Sequence, residues 1–452
     1  MTQSSQPTPE VPTSENSAPE KSASGSGPSE VQALAVLVAT AGATALWSGH
    51  LWSQLLQSRG GADVVCVFGG SDCAQLWDSR FATAVHQATG VPVAGWGLAW
   101  GLTALLLALV ALISSVRRKP APGVRAALPW AAAGGVLAVG ALVVVSGAQG
   151  QWCSSCSVVY FLTAVFAVTV FAFLGERGQQ GSKLQGLLVV LAVFAGSYAL
   201  MLYPGLRTPA AGAAQEALQS APRSGGLEGF LTGLTPDLQQ AVSQALGRHR
   251  AATTLPQPEM RAPLGDPAAP VRLTEFTDIR CSHCATLHQT LDALWNSAPK
   301  GSFVIDSRHF PLDGRCNPRL PPRDGEPVSC TAALARICFE SQSKEQREAY
   351  ATRLFDAQRE LTLEQVFSFA EPVMDAAALR QCVQQPEVQQ SLEDDLAFAW
   401  QHTPRGTPLV LINGREAVAF GPFLYAMILA GGDLYHPAFE QLPPPSLTPP
   451  GS

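Results

Sequence analysis

Charge is scarce in this chain. Only 14% of its 452 residues are Asp, Glu, Lys or Arg, and the net charge is −6. No stretch gathers the lysines and arginines into a basic patch, so a nucleic-acid partner is not expected. Residues 1–30, "MTQSSQPTPEVPTSENSAPEKSASGSGPSE", have no basic start and almost nothing to bury, so they read as a disordered tail rather than a signal peptide. Regular metal-ligand spacing is also missing: His86, His249, His288, His309 and His402 stand apart from one another and read as surface or packing residues. No metal is expected.

The scarcity of charge is concentrated in five windows that contain none. They run over 31–51, 93–114, 126–147, 157–174 and 184–203. At 1.5 Å of rise per residue, each is about long enough to cross the roughly 30 Å hydrocarbon layer of a membrane. A single such window reads equally well as a buried core helix; five in succession predict a helical transmembrane bundle. The loop after the second window, "VRRKPAPGVR", carries Arg117, Arg118, Lys119 and Arg125 without an acid. Short basic loops stay cytoplasmic. The N-terminal tail is then inside and the 52–92 loop outside. Five crossings put everything after residue 203 outside as well. This predicts a multi-pass protein of the cell's inner (plasma) membrane, with its soluble part on the periplasmic, extracytoplasmic side. Trp96, Trp100 and Trp152 read as interface anchors, with Trp96 and Trp152 also candidates to border a bound ring.

Ten cysteines are present, all on the predicted outer side. That usage suits an oxidising compartment. Cys281-Ser-His-Cys284 follows the alternating run "VRLTEFTD" (271–278), a predicted strand, and opens a predicted helix. A helix N-terminus offers partial positive charge and free N–H groups, and His283 adds to them, so a thiol there ionises more readily. The thiolate is the species that attacks a disulfide. The alternative, half of a zinc site, needs two further ligands that the neighbouring sequence does not supply. "SFVIDSRHF" (302–310) is a second strand, 325–400 is helical, and "TPLVLING" (407–414) is a strand entering an Asn-Gly turn. With Thr407-Pro408 placed directly before that strand, residues 266–435 resemble the thioredoxin fold, specifically DsbA-like disulfide oxidases. The resemblance implies a cis-proline facing the cysteines, with Thr407, Pro408 and His283 contacting substrate. The family's most oxidising members have Pro-His between the cysteines where this chain has Ser-His.

The membrane half carries a second pair, Cys153-Ser-Ser-Cys156, at the outer end of the fourth window. Tyr160 lies four residues beyond Cys156 and shares its helix face. Upstream stand a loop pair, Cys66 and Cys73, then Ser79, then Gly90-x-Pro92 opening the next helix. As a constellation over 31–175, this resembles the bacterial form of the vitamin K epoxide reductase family. The resemblance implies a four-helix core, a quinone cofactor (ubiquinone or menaquinone) near Tyr160 and Ser79, Cys156 as the quinone-proximal thiol, and Cys153 as the one exchanging with Cys73. Six residues separate the two loop cysteines, one more than the family pattern, and the asparagine that some members use at the quinone has no counterpart that can be placed.

Cys316, Cys330, Cys338 and Cys382 remain. Four cysteines allow three pairings. Bridges Cys316–Cys330 and Cys338–Cys382 are favoured as structural disulfides, with free buried thiols as the alternative. The expected organisation is a tail (1–30), a transmembrane domain (31–175), a fifth transmembrane helix (176–203), a linker (204–265) with a short helix near 235–250, an α/β thioredoxin-like domain with a helical insertion (266–435), and a disordered Pro-rich tail (436–452). The function this predicts is disulfide generation. Electrons would pass from reduced secreted or periplasmic proteins to Cys281/Cys284, then Cys66/Cys73, then Cys153/Cys156, and finally to the membrane quinone pool. Alternatives are a quinone or vitamin K epoxide reductase fuelled by protein thiols, an isomerase or reductase feeding electrons outward, and a non-catalytic membrane adaptor. Outward feeding would require cysteines toward the cytoplasm, and an adaptor would be marked by a broken pair; neither is present.

Overall fold

The computed structural model describes residues 30–59, 76–119, 121–148, 153–173, 182–206, 208, 212–220 and 225–445. Its first part is helical: α1 (Glu30–Arg59), a short α2 (Arg80–Thr89), α3 (Val93–Val116), α4 (Pro122–Ala148), α5 (Ser154–Phe173) and α6 (Lys183–Leu206). All but α2 are long and apolar enough to cross a membrane. A helix satisfies its own backbone polar groups, which hydrocarbon cannot do. Small residues let these helices approach closely. A Cβ added to Gly101 of α3 would stand 2.8 Å from the backbone nitrogen of Ala45 in α1. Trp100 donates Nε1–H to the Ala131 carbonyl at 3.0 Å, and Trp96 donates to Thr89 Oγ1 at 3.2 Å. Both indoles therefore bind neighbouring chain, and Trp152 lies outside the described residues.

The C-terminal end of α6 is fastened at three points. Tyr198 Oη donates to the Thr89 carbonyl at 2.5 Å, His86 Nε2 lies 3.1 Å from the Gly205 carbonyl, and Trp52 Nε1 donates to Thr208 Oγ1 at 3.0 Å. Four residues, 209–212, separate Thr208 from the next helix.

That helix, α7 (Ala213–Gln219), begins the soluble part. It is followed by α8 (Gly226–Gly233), α9 (Pro236–Ala251), β1 (Leu264–Gly265), β2 (Val271–Thr277), α10 (Ser282–Ser297), β3 (Phe303–His309), α11 (Val328–Cys338), α12 (Lys344–Asp356), α13 (Leu363–Ser368), α14 (Ala376–Cys382), α15 (Pro386–Gln401), β4 (Leu409–Ile412), β5 (Arg415–Ala417) and α16 (Gly421–Leu429). The five strands lie in the order β1-β3-β2-β4-β5. β2 and β3 are parallel, and the other pairings are antiparallel. Alternation along β2 sends Phe276 to one face and Leu273 to the other. The Phe276 face packs under the insertion α11–α15, and the Leu273 face packs under α7–α10 and α16. At one edge of the insertion, Asp395 is fully buried and accepts from Arg261 Nη1 at 2.9 Å, Arg308 Nη1 at 3.1 Å and the His309 amide at 3.0 Å.

Two boundaries differ from expectation. Residues 213–219 and 225–265 do not form a linker: Leu218, Phe230, Leu231 and Leu246 are buried in the core on the Leu273 face. Their apolar side chains recur at helical spacing, and the sheet has a bare face for them to cover. The expected C-terminal tail is likewise ordered through residue 445. Pro437–Gln441 form a 3₁₀ turn, Phe439 is buried, and Ser243 Oγ donates to the Pro443 carbonyl at 2.6 Å. Residues 446–452, and 1–29 of the N-terminal tail, lie outside the described set; Glu30 belongs to α1 and pairs with Arg125 at 2.6 Å.

Candidate active site

β2 delivers the chain to a tight turn held by Asp278. Its carboxylate accepts from the Arg280 amide at 2.6 Å, the Leu312 amide at 2.6 Å and Ser329 Oγ at 3.0 Å. Cys281 is then the N-cap of α10, its Sγ accepting the Cys284 amide at 3.2 Å. Across the site, the Thr407–Pro408 peptide is cis, and the Thr407 carbonyl oxygen lies 3.2 Å from Cys281 Sγ.

The two thiols are free and buried, but their surroundings differ. Hydrogen bonding from Cys284 holds the Cys281 thiol below its ordinary value, while burial and the Asp278 charge work against it. Burial drives the Cys284 thiol well above its ordinary value, and the charge of Cys281 adds to this. The first cysteine is therefore the nucleophile, and the second holds its proton until a mixed disulfide has formed. Around them, Ser282 Oγ, His283 Nε2 and Thr407 Oγ1 are buried without a hydrogen-bond partner among the described residues. Burial lowers the basicity of His283, partly offset by the Asp78 carboxylate.

In the membrane half, Cys153 and Cys156 form a disulfide at the start of α5, with Cα atoms 5.2 Å apart. Cys153 is buried among Leu51, Trp52, Leu55, Trp77 and Val91, with Trp47, Trp96 and Cys156 packed against them. Trp47 Nε1 donates to the Ser155 carbonyl at 2.9 Å, fixing the first turn of α5 to α1. Tyr160 is partly buried one turn beyond Cys156 and hydrogen-bonds Ser146 at the end of α4. Ser79 caps α2, its Oγ accepting the Ala82 amide at 3.3 Å. Gly90 ends α2 at φ +71°, a left-handed backbone conformation that favours glycine. Cys66 and Cys73 lie outside the described residues.

Cys316 is bonded to Cys330 and Cys338 to Cys382, all within the insertion. No cluster of three His, Cys, Asp or Glu suited to a metal occurs among the described residues. Sequence reading passed over Arg59, Asp78 and His86 as a group: Arg59 donates to Asp78 Oδ1 at 2.9 Å and lies 3.4 Å from His86 Nδ1. An arginine at the end of an apolar helix, next to a segment rich in aspartate, was the available signal.

Residues 34–171 match the model of the vitamin K epoxide reductase family, and residues 257–419 match a thioredoxin family model. Among solved structures, BdbD from Bacillus subtilis is 18% identical, over 40% of this chain and 97% of its own, with a TM-score of 0.34. The α-DsbA1 of Wolbachia pipientis is 19% identical over 42% and 97%, with a TM-score of 0.30. NmDsbA1 from N. meningitidis is 18% identical over 41% and 86%, with a TM-score of 0.29. No curated protein sequence matches the chain. The chain is thus a fusion: a vitamin K epoxide reductase family segment within a bundle of apolar helices, followed by a thioredoxin-family domain. A protein built this way is a membrane thiol–disulfide oxidoreductase.

Proposed function

We propose that this protein makes disulfides in extracytoplasmic proteins and passes the electrons to a membrane quinone. The observation that carries the reading is a pair of C-x-x-C sites with opposite surroundings. One caps a helix in the soluble domain beside unpaired polar groups; the other is packed among tryptophans in the apolar bundle.

Oxidation of a substrate begins when one of its thiolates attacks the soluble-domain disulfide, and the resulting mixed disulfide is resolved by the substrate's second thiol. Both electrons then reside on Cys281 and Cys284. The unpaired Ser282, His283 and Thr407 groups favour a polypeptide ligand, whose backbone supplies the missing partners. Cys281, as the more acidic thiol, next attacks a disulfide of the membrane half. Cys284 resolves that bridge and gives up its proton. Cys66 and Cys73 are the acceptors in this reading and hand the electrons to Cys153, leaving Cys156 toward the quinone.

The tryptophan-lined surroundings of Cys153 and Cys156 fit a flat apolar ring, with Tyr160 and Ser79 proposed as its polar contacts. A bound quinone supplies a two-electron, two-proton sink. Ubiquinone and menaquinone are the candidates. The soluble domain lies on the periplasmic side, and its partners are reduced secreted or periplasmic proteins. The test is purified protein given a reduced, unfolded polypeptide and a quinone. The expected result is one quinone reduced per disulfide formed; substrate that remains reduced with quinone present overturns the proposal.

A further inference from the structure

The turn that presents Cys281 is tied to a distant part of the chain. Its backbone is closed by the Asp278 carbonyl, which accepts the Cys281 amide at 3.1 Å. The Asp278 side chain is buried and has three donors around it. Oδ1 accepts the Arg280 amide at 2.6 Å and Ser329 Oγ at 3.0 Å, and Oδ2 accepts the Leu312 amide at 2.6 Å. One donor belongs to the turn itself. The other two, 34 and 51 positions further along the chain, flank the segment that the Cys316–Cys330 bridge closes.

The bridge touches the neighbours of both donors. Ser329 immediately precedes Cys330. The two bridge sulfurs lie against the Asp313 carbonyl, 3.7 Å from Cys316 and 4.0 Å from Cys330, and Asp313 immediately follows Leu312. From Cys316 to Pro327 the chain forms no helix or strand, so the covalent bridge fixes the spacing of the two donors. Cys281 depends on the turn they hold. As the N-cap of α10, its Sγ accepts the Cys284 amide at 3.2 Å. Cys284 on its own helix favours its thiolate through hydrogen bonding, while burial and the Asp278 charge in the turn oppose it. Toward Asp278 the insertion presents an uncharged amide and an uncharged hydroxyl, whose dipoles offset that charge.

We propose that Asp278 is a positioning residue for thiol–disulfide exchange: its carboxylate fastens the turn before Cys281 to the Leu312 and Ser329 donors, so that the Cys316–Cys330 bridge governs how readily Cys281 reacts. The bridge itself exchanges no electrons in this role. The inference rests on Cys281 as the attacking thiol. The step it serves balances as ordinary disulfide exchange. The Cys281 thiolate attacks one sulfur of a disulfide and expels the other as thiolate. Cys284 then loses its proton and attacks Cys281, forming the soluble-domain disulfide and releasing the partner sulfur as a second thiolate. With the bridge cut, the two insertion donors drift from Asp278 and the turn loosens. The Cys284 amide contact weakens, and the Asp278 charge is less offset. Each change disfavours the Cys281 thiolate.

The test is the pH profile of Cys281 in the full chain in detergent. Limiting dithiothreitol reduces Cys281 and Cys284, mass analysis confirms that Cys316–Cys330 is intact, and alkylation by iodoacetamide is followed at each cysteine across a pH series. Cys316→Ala/Cys330→Ala should raise the Cys281 midpoint by about 0.5–1 pH unit. Ser329→Ala removes one donor without touching the bridge and should shift the midpoint in the same direction. Cys338→Ala/Cys382→Ala opens the other bridge of the insertion and should leave it unchanged. In an Asp278→Ala background, loss of the Cys316–Cys330 bridge should add no further shift. If the bridge variant does not accumulate, Ser329→Ala takes its place in the cycle; if Asp278→Ala does not, Ser329→Ala is the background, in which bridge loss should shift the midpoint less than it does in the wild type. A midpoint that stays or falls when the bridge or the Ser329 hydroxyl is lost overturns the proposal. So does an equal shift in the Cys338/Cys382 variant, or an undiminished shift in the Asp278→Ala or Ser329→Ala background. Alkylation of Cys284 ahead of Cys281 overturns the assignment of the nucleophile, and the inference falls with it.

Discussion

The Sγ of Cys281 lies 3.2 Å from the carbonyl oxygen of Thr407, while Cys284, one turn further along the same helix, is fully buried. That asymmetry predicts how the reduced pair meets an alkylating agent. Cys281 should react with iodoacetamide with a pH midpoint below the ordinary thiol value of about 8.5, because the hydrogen bonding it receives from Cys284 favours its thiolate over the thiol that donates to Thr407. Cys284 should stay unmodified across that range, because burial favours its protonated form. Mass analysis of peptides across a pH series reads both. Equal reactivity at the two sites would contradict the assignment of nucleophile and resolving thiol.

Cys156→Ala should abolish quinone reduction while thiol exchange at Cys281 continues. Tyr160→Phe should be milder, since it removes one hydrogen bond worth about 0.5–1.5 kcal/mol. Turnover with a soluble quinone separates the two. Quinone reduction persisting in Cys156→Ala would mean that electrons leave by another route.

The two bridges of the insertion close loops of different length, with sequence separations of 14 for Cys316–Cys330 and 44 for Cys338–Cys382. Loop-closure entropy predicts that replacing both cysteines by alanine costs about 3 kcal/mol for the first and about 4 kcal/mol for the second. Denaturant unfolding of the full chain in detergent, followed through the soluble domain, measures the order. A greater loss from the shorter loop would rule out chain entropy as the leading contribution.

Asp313 predicts a specific acid sensitivity. Arg315 donates to its carboxylate at 2.6 Å through Nη2, and the Arg315 and Arg323 amides add further bonds, which together hold its pKa at about 2. An unfolded aspartate titrates near 3.9. The folded state therefore favours the charged form. This stabilisation is complete above the unfolded value and fades as pH falls toward the folded one. Asp313→Asn should be less stable than wild type at neutral pH, and the gap should narrow between about pH 4 and pH 2. A gap that stays constant through that window would assign the loss to packing instead.

Much of this organisation is legible in the sequence because it depends on local pattern. Uncharged twenty-residue windows mark α1 and α3–α6, and the strand, cysteine pair and helix around 271–297 announce the thiol site. What escapes is set by distant surfaces. Nothing near Leu218 or Phe230 reveals that the sheet has an open face for them, so their segment reads as linker. The prolines after residue 436 read as disorder because the α9 side chains that donate to their carbonyls lie some 200 positions upstream. Ser79 can be picked out from a family pattern, but its capping of α2 is visible only once the helix start is fixed.

The connection of four residues between Thr208 and α7 has a kinetic consequence. Five Cα steps reach at most about 18 Å. Thr208 is fixed to Trp52 at one end of that span, and Leu218 to the soluble core at the other. A partner leashed this closely is present at an effective concentration in the millimolar range. In the proposed relay, exchange between the two halves is then first order and independent of how much protein the membrane holds. A free thioredoxin-like protein at micromolar abundance would compete for the membrane cysteines at a disadvantage of about a thousandfold.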